Sequence, residues 1–154
     1  MKLTHLDSSG RARMVDVGEK SPMLRVAEAE GFIRLLPATL RLLRRKGLRK
    51  GDALTVAQIA GIQAAKKTSS LIPLCHALPL DAVQVRFKFA AKGLKIFAEA
   101  RVTAKTGVEM EALTAVSVTA LVIYDMCKAV DKQMANGPIR LIRKTKTPVH
   151  KSHS

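Results

Sequence analysis

"VQVRFKFAAKGLKIFAEARV", Val83 to Val102, decides the fold. In its first half Val83, Val85, Phe87 and Phe89 alternate with Gln84, Arg86 and Lys88. After Ala91-Lys92-Gly93, the residues Ile96, Ala98, Ala100 and Val102 alternate with basic and polar neighbours. A period of two sends apolar side chains to one face of a strand. Two such runs joined by a glycine turn predict an antiparallel hairpin with one buried face.

A buried sheet face needs a cover, and the flanking sequence offers helices. Upstream, from Arg25 to Leu35, Ala27, Ala29, Gly31, Ile33 and Leu35 alternate with Glu28, Glu30, Phe32 and Arg34, which predicts another half-buried strand. Pro37 suits the first turn of a helix over Ala38 to Lys46, with Gly47 closing it. A second helix, Leu54 to Lys67, carries Val56, Ile59, Ala60 and Gln63 at helical spacing, with Asp52 in its cap region. Downstream, Glu109 to Val130 reads as a long helix buried on most sides, and Pro138 to Lys144 as a last short strand. The order β, α, α, β, β, α, β predicts an α+β fold, an antiparallel sheet with helices packed on one face. The polar start, with a turn at Asp7-Ser8-Ser9-Gly10, reads as an arm, and residues 145–154 ("TKTPVHKSHS") as a flexible tail. The 154 residues suit one domain, 1–154, with a real core.

Charge sets the class of partner. With 27 Lys plus Arg against 12 Asp plus Glu, the chain attracts phosphate. The absence of Trp and the 3% aromatic content argue against a stacking platform for nucleic-acid bases. The longest apolar run, Ala112 to Tyr124, is broken by Thr114, Ser117 and Thr119 and is shorter than the ~20 residues of a membrane span. "MKLTHLDSSGRARM" has no signal-peptide core, and two cysteines make no disulfide framework, so the expected compartment is a reducing cytoplasm.

Four stretches place polar groups where chemistry could use them. In "LRKGD", Lys50 precedes Gly51: it is either a solvated turn or a loop that approaches phosphate closely. In "GVEMEAL", Glu109 and Glu111 begin a helix, where carboxylates are favoured by the dipole whether or not they have another role. In "IYDMCKAV", Asp125 and Lys128 share a helix face among apolar neighbours, as a structural ion pair or as a desolvated acid–base pair. In "LIPLCHALPL", Cys75 and His76 are adjacent. Neighbours in an extended segment face opposite ways, so Cys75 reads as packing and His76 either as a structural histidine or as the side chain that meets a site. Zinc would need more ligands than Cys127 and the scattered histidines supply. Glu111 and Asp125 lie 14 positions apart, a rise of about 21 Å on one helix. Both can serve one small ligand only if different subunits supply them.

These stretches occur together in one family. "KGD" (50–52), "AGIQAAKKTSSLIPLCHALPL" (60–80), "TGVEMEALTAVSVTALVIYDMCKAV" (106–130) and "MVDVGEKSPMLRVAEAEGFI" (14–33) closely resemble cyclic pyranopterin monophosphate synthases, over a span from Leu3 to Lys144. The resemblance implies a lyase of molybdenum cofactor biosynthesis. It would convert 3′,8-cyclo-7,8-dihydroguanosine triphosphate to cyclic pyranopterin monophosphate and pyrophosphate, downstream of the radical enzyme that cyclises GTP. It implies a ferredoxin-like subunit in a hexamer, a trimer of dimers with sites at the dimer interface. Lys50, Asp125 and Lys128 match the catalytic positions. Arg25, Cys75, His76, Glu109, Met110, Glu111 and Lys144 match the substrate-binding region, with Arg25 facing the phosphates. No cofactor or resident metal is required on this reading, though Mg²⁺ could ride on the triphosphate. One departure stands out: the family ends in a "KSGGKSG" type loop, whereas this chain reads "KTKTPVHKSHS". Lys144 keeps the first lysine, and either Lys146 or Lys151 stands for the second.

Two rivals use the same residues. A basic RNA-binding module would use Arg41, Arg44, Arg45, Lys46, Arg49 and Lys50. It leaves Asp125, Glu109 and Glu111 unexplained, since carboxylates repel a phosphate backbone, so nucleic acid is not the expected partner. A decayed structural subunit would have lost motif residues, and here they are intact.

Overall fold

A computed structural model of the chain describes residues 9–149. β1 (Met23–Arg34) is the middle of the sheet. On one edge it pairs antiparallel with β3 (Gly93–Ala104), which pairs in turn with β2 (Ala82–Ala90). The predicted hairpin is therefore present, with Val85 opposite Ala98 and Phe87 opposite Ile96. On its other edge β1 meets β4 (Ala135–Asn136) and β5 (Arg140–Pro148).

Alternation fixes which way the sheet faces. Ala27, Ala29, Ile33, Val85, Ile96, Ala98, Ala100 and Val102 are buried on one face, under the helices. The opposite face is charged. Glu28 stands directly across from Glu99, and Arg143 lies 3.6 Å from Glu28 and 2.9 Å from Glu99, offsetting a like-charge pair. Arg86 adds a 2.6 Å contact to Glu28. The result is an α+β fold of the ferredoxin-like kind.

α1 (Pro37–Arg44) starts at proline as expected. Its end differs in detail. Lys46 N–H donates to Leu43 and Gly47 N–H to Leu42, and Lys46, not Gly47, takes the left-handed conformation (φ 52°). α2 (Ala53–Lys66) is capped by Asp52, whose carboxylate accepts the Thr55 N–H. A short α3 (Thr68–Leu71), not anticipated, follows it.

α2 presents the opposite face from the one its larger apolar residues suggest. Val56 and Ile59 are exposed, whereas Ala53, Ala57, Gly61 and Ala64 are buried. The reason is distance: α2 lies so close to α4 (Glu109–Cys127) that a Cβ at Gly61 would overlap Thr119 and approach the Ala115 carbonyl to 3.0 Å. Only a small-residue stripe fits such a crossing.

The tail also departs from expectation. β5 continues past Lys144 to Pro148, pairing Lys144 with Ala27 and Lys146 with Arg25. Residues 145–148, read as the start of a flexible tail, are sheet. Residues 150–154 lie outside the described residues, as do Asp7 and Ser8 of the N-terminal turn.

Candidate functional site

The ten positions singled out in the sequence fall into two groups at opposite ends of α4. At its C-terminal end, the Lys50 ammonium lies 3.2 Å from Asp125 Oδ2 and 3.2 Å from the Asp125 carbonyl, and Lys128 Nζ lies 2.6 Å from Asp125 Oδ1. Gly51, in the left-handed region at φ +93°, lets the chain turn from Lys50 straight into the Asp52 cap. Asp125 is thus clamped between two cations. Lys128 first and Lys50 second hold its carboxyl below the usual range, and Asp125 in turn raises Lys128. The sequence left open a structural ion pair or a desolvated acid–base pair, and the cluster is open to water: Lys50 is 47% exposed, Asp125 and Lys128 56%. Ile123 and Cys127 turn inward, while Asp125 and Lys128 ride the outer face with the exposed Tyr124 and Val130. In the single chain Lys128 is therefore a held proton donor, not a desolvated base.

At the N-terminal end of α4 a cavity of about 230 Å³ is walled by Cys75, His76, Met110 and Glu111, with Val15 and Lys20 from the N-terminal arm. The turn closed by the Cys75 N–H on the Ile72 carbonyl brings Cys75 and His76 to the same cavity, correcting the expectation that they face apart. They still form no nucleophile–base pair. His76 Nε2 donates to the Val15 carbonyl at 2.8 Å, and burial, helped by the charge of Glu111, pushes the Cys75 thiol up and keeps it protonated. Glu111 is 4% exposed, and burial, then the charge of Glu109, raises its carboxyl. A carboxyl so placed can hold or release a proton nearer neutrality than an exposed one.

Glu109 also borders a second cleft, of about 260 Å³, lined by Arg25, Lys144 and Lys146. Lys144 lies 3.4 Å from Glu109. Arg25 gives two of its donors to the carbonyls of Ala104 and Lys105, which fixes its guanidinium at the end of β3. The cross-strand pairing of Arg25 with Lys146 puts Lys146, one of the two candidates for the second lysine of the tail motif, beside Arg25. Lys151 lies outside the described residues.

Two lining positions, Val15 and Lys20, were not singled out in the sequence, and a third, Lys146, was only one of two candidates for a tail lysine. Lys20 and Val15 belong to an arm read as mere polar lead-in, and Lys146 to a tail read as mobile. The alternation of Lys144 and Lys146, two apart like Arg25 and Ala27, was the signal for a strand face. Among the described residues no group of three or more His, Cys, Asp and Glu comes together as a metal would need.

Residues 14–147 match the model of the MoaC family. The chain belongs to that family. It is 58% identical over 145 residues to the cyclic pyranopterin monophosphate synthase of Roseiflexus sp. (strain RS-1), covering 93% of this chain and 92% of that one. It is 59% identical over 142 residues to the enzyme of the same name from Novosphingobium aromaticivorans, covering 92% and 90%. The same name belongs to a Desulfitobacterium hafniense protein that is 53% identical over 146 residues, covering 94% and 90%. The family match contains both groups of site residues and the whole of α4 between them.

Proposed function

We propose that this chain is the lyase that forms cyclic pyranopterin monophosphate and pyrophosphate from 3′,8-cyclo-7,8-dihydroguanosine triphosphate in molybdenum cofactor biosynthesis. Relatives of that name at 53–59% identity over nearly the full chain support the reading. The observation that carries it is the gathering of Lys50, Asp125 and Lys128, distant in sequence, into one contact cluster. Rebuilding a purine-derived ring needs several proton transfers, which the lysines, Asp125 and the buried Glu111 can supply. Closing the cyclic phosphate makes a new bond from a sugar-derived oxygen to the α-phosphorus as pyrophosphate leaves. The negative charge of that step suits Arg25, Lys144 and Lys146.

The two groups act together only across subunits. Glu111 and Asp125 are about 21 Å apart along α4, too far for one small ligand. Leu121 and Tyr124, exposed beside Asp125, offer an apolar border for a second copy whose Glu111 end completes the site. A hexamer, as a trimer of dimers, satisfies this arrangement. The protein takes its substrate from the radical cyclisation of GTP in the cytoplasm, and any Mg²⁺ arrives on the triphosphate.

Purified protein given the cyclised triphosphate should release pyrophosphate and form the pterin product. It should keep doing so after dialysis against EDTA. Absence of turnover, or turnover undiminished in both Lys50→Ala and Lys128→Ala, sinks the reading.

A further inference from the structure

Asp131 is 1% exposed, more deeply buried than Glu111 at 4%, and the chemistry above does not use it. Its Oδ2 accepts the Leu36 N–H at 2.8 Å and the Thr39 hydroxyl at 3.0 Å, and its Oδ1 accepts the Gln133 N–H at 2.9 Å. Burial alone would raise this carboxyl. The bonds from Leu36, Gln133 and Thr39 outweigh burial and hold it low, so it is charged.

What Asp131 joins is specific. Leu36 is the N-cap position of α1, a helix with no side-chain cap of its own and no acid in its first turn. Asp131, 95 positions away, accepts one of the N–H groups left unpaired at that end, that of Leu36. The other partner is the turn after α4. There the Lys128 N–H donates to the Tyr124 carbonyl at 2.9 Å, and the Val130 and Asp131 N–H groups donate to the Cys127 carbonyl at 2.9 and 3.0 Å. Lys128 stands inside this turn. The far end of α1 runs through Lys46 and Gly47 to Lys50, which reaches back to Asp125. So α1 is fastened to the end of α4 twice, by Asp131 at its start and by Lys50 beyond its finish.

We propose that Asp131 is a positioning residue for the Lys50–Asp125–Lys128 cluster: it ties the turn after α4 to the first turn of α1 and so sets where both lysines stand against Asp125. The proposal rests on the catalytic reading of that cluster. Exposed lysines on long stems hold no geometry themselves, and an error of about 1 Å in a reacting group can cost roughly a hundredfold in rate. A fixed base for the lysines therefore matters to the rate.

Asp131→Asn keeps the volume and breaks the pattern. With its carbonyl toward Leu36 and Thr39, its NH₂ faces the Gln133 N–H; reversed, it faces the Leu36 N–H. The expected result is a folded enzyme with kcat down by roughly ten- to a hundredfold and KM changed less than about threefold. The basic limb of its kcat–pH profile should move to lower pH as Asp125 loosens its hold on Lys128. Lys128 faces Asp125 and Tyr124, and Asp131 faces Arg34 and Cys127, so only the first pairing carries that limb. Thr39→Val, which removes one bond to Asp131, should move the same quantities less far. The comparison is an Ile96 variant, Val or Ala, chosen to match the melting temperature, because Ile96 is core residue away from the cluster. An Asp131→Asn enzyme with the kcat, KM and pH profile of that variant overturns the positioning role. Turnover retained in Lys128→Ala overturns the cluster reading, and this proposal with it.

Discussion

Lys50 and Asp125 stand 75 positions apart in the sequence and 3.2 Å apart in the fold. The contact joins the loop after α1 to the outer face of α4, and Lys128 meets the same carboxylate from its other side at 2.6 Å. Because all three groups are exposed, they add little to stability. The lowered carboxyl of Asp125 stabilises above the ordinary carboxylate range and ceases to as pH falls. The raised Lys128 stabilises below the ordinary lysine range and ceases to as pH rises. Neither window lies near neutrality.

Lys50→Ala and Lys128→Ala should therefore melt close to the parent at pH 7 while losing roughly 10²–10⁴-fold in turnover. Circular dichroism melts and pyrophosphate release check the two halves. A loss of turnover that tracks a loss of fold would contradict the assignment.

Glu111 carries the opposite cost. Its folded carboxyl is raised by burial, so the neutral form is favoured. The sign follows: the folded protein binds more protons than the unfolded one between the two values, so stability falls as pH rises through them. Glu111→Gln should melt higher than the parent at pH 7, should match it below the ordinary carboxylate range, and should turn over more slowly. Melting curves across that interval test it, since a site held at a stability cost behaves in this way.

How far the sequence could be read depended on period and volume. Strict alternation made β1, β2 and β3 legible, because side chains two apart must share a face. The same logic marked Asp125 and Lys128, three apart at the end of α4, as neighbours. It could not reveal that α2 buries Ala57 and Gly61 in place of Val56 and Ile59. That choice depends on how closely another helix approaches, and Thr119 lies 58 positions away from Gly61. Nor could it place Lys146, because a basic tail and a basic edge strand have the same composition until pairing with β1 is known.

Pairing with β1 puts Lys146 beside Arg25, and both line the cleft with Lys144. Lys146→Ala should raise KM for the triphosphate by about tenfold, the effect of losing one charge-assisted contact, with kcat nearly unchanged. Inhibition by added pyrophosphate should weaken in parallel, and both effects should shrink as salt is raised. Steady-state kinetics at two ionic strengths are sufficient. An unchanged KM would return the second-lysine role to Lys151.

Gly61→Ala tests the helix crossing that supports the whole arrangement. The added methyl overlaps the Thr119 hydroxyl, which itself donates to the Ala115 carbonyl at 2.7 Å, and lies 3.3 Å from Val85. α2 cannot retreat without dragging its Asp52 cap and the adjoining Lys50 loop away from α4. Overpacking of this kind costs about 1–3 kcal/mol, which urea denaturation measures directly. Removing the obstructing hydroxyl in Gly61→Ala/Thr119→Ala should recover part of the loss, so the double variant should be more stable than the two single losses added together. Simple additivity would mean that the two residues do not meet, and that α2 lies farther from α4 than the buried Ala57 and Gly61 stripe requires.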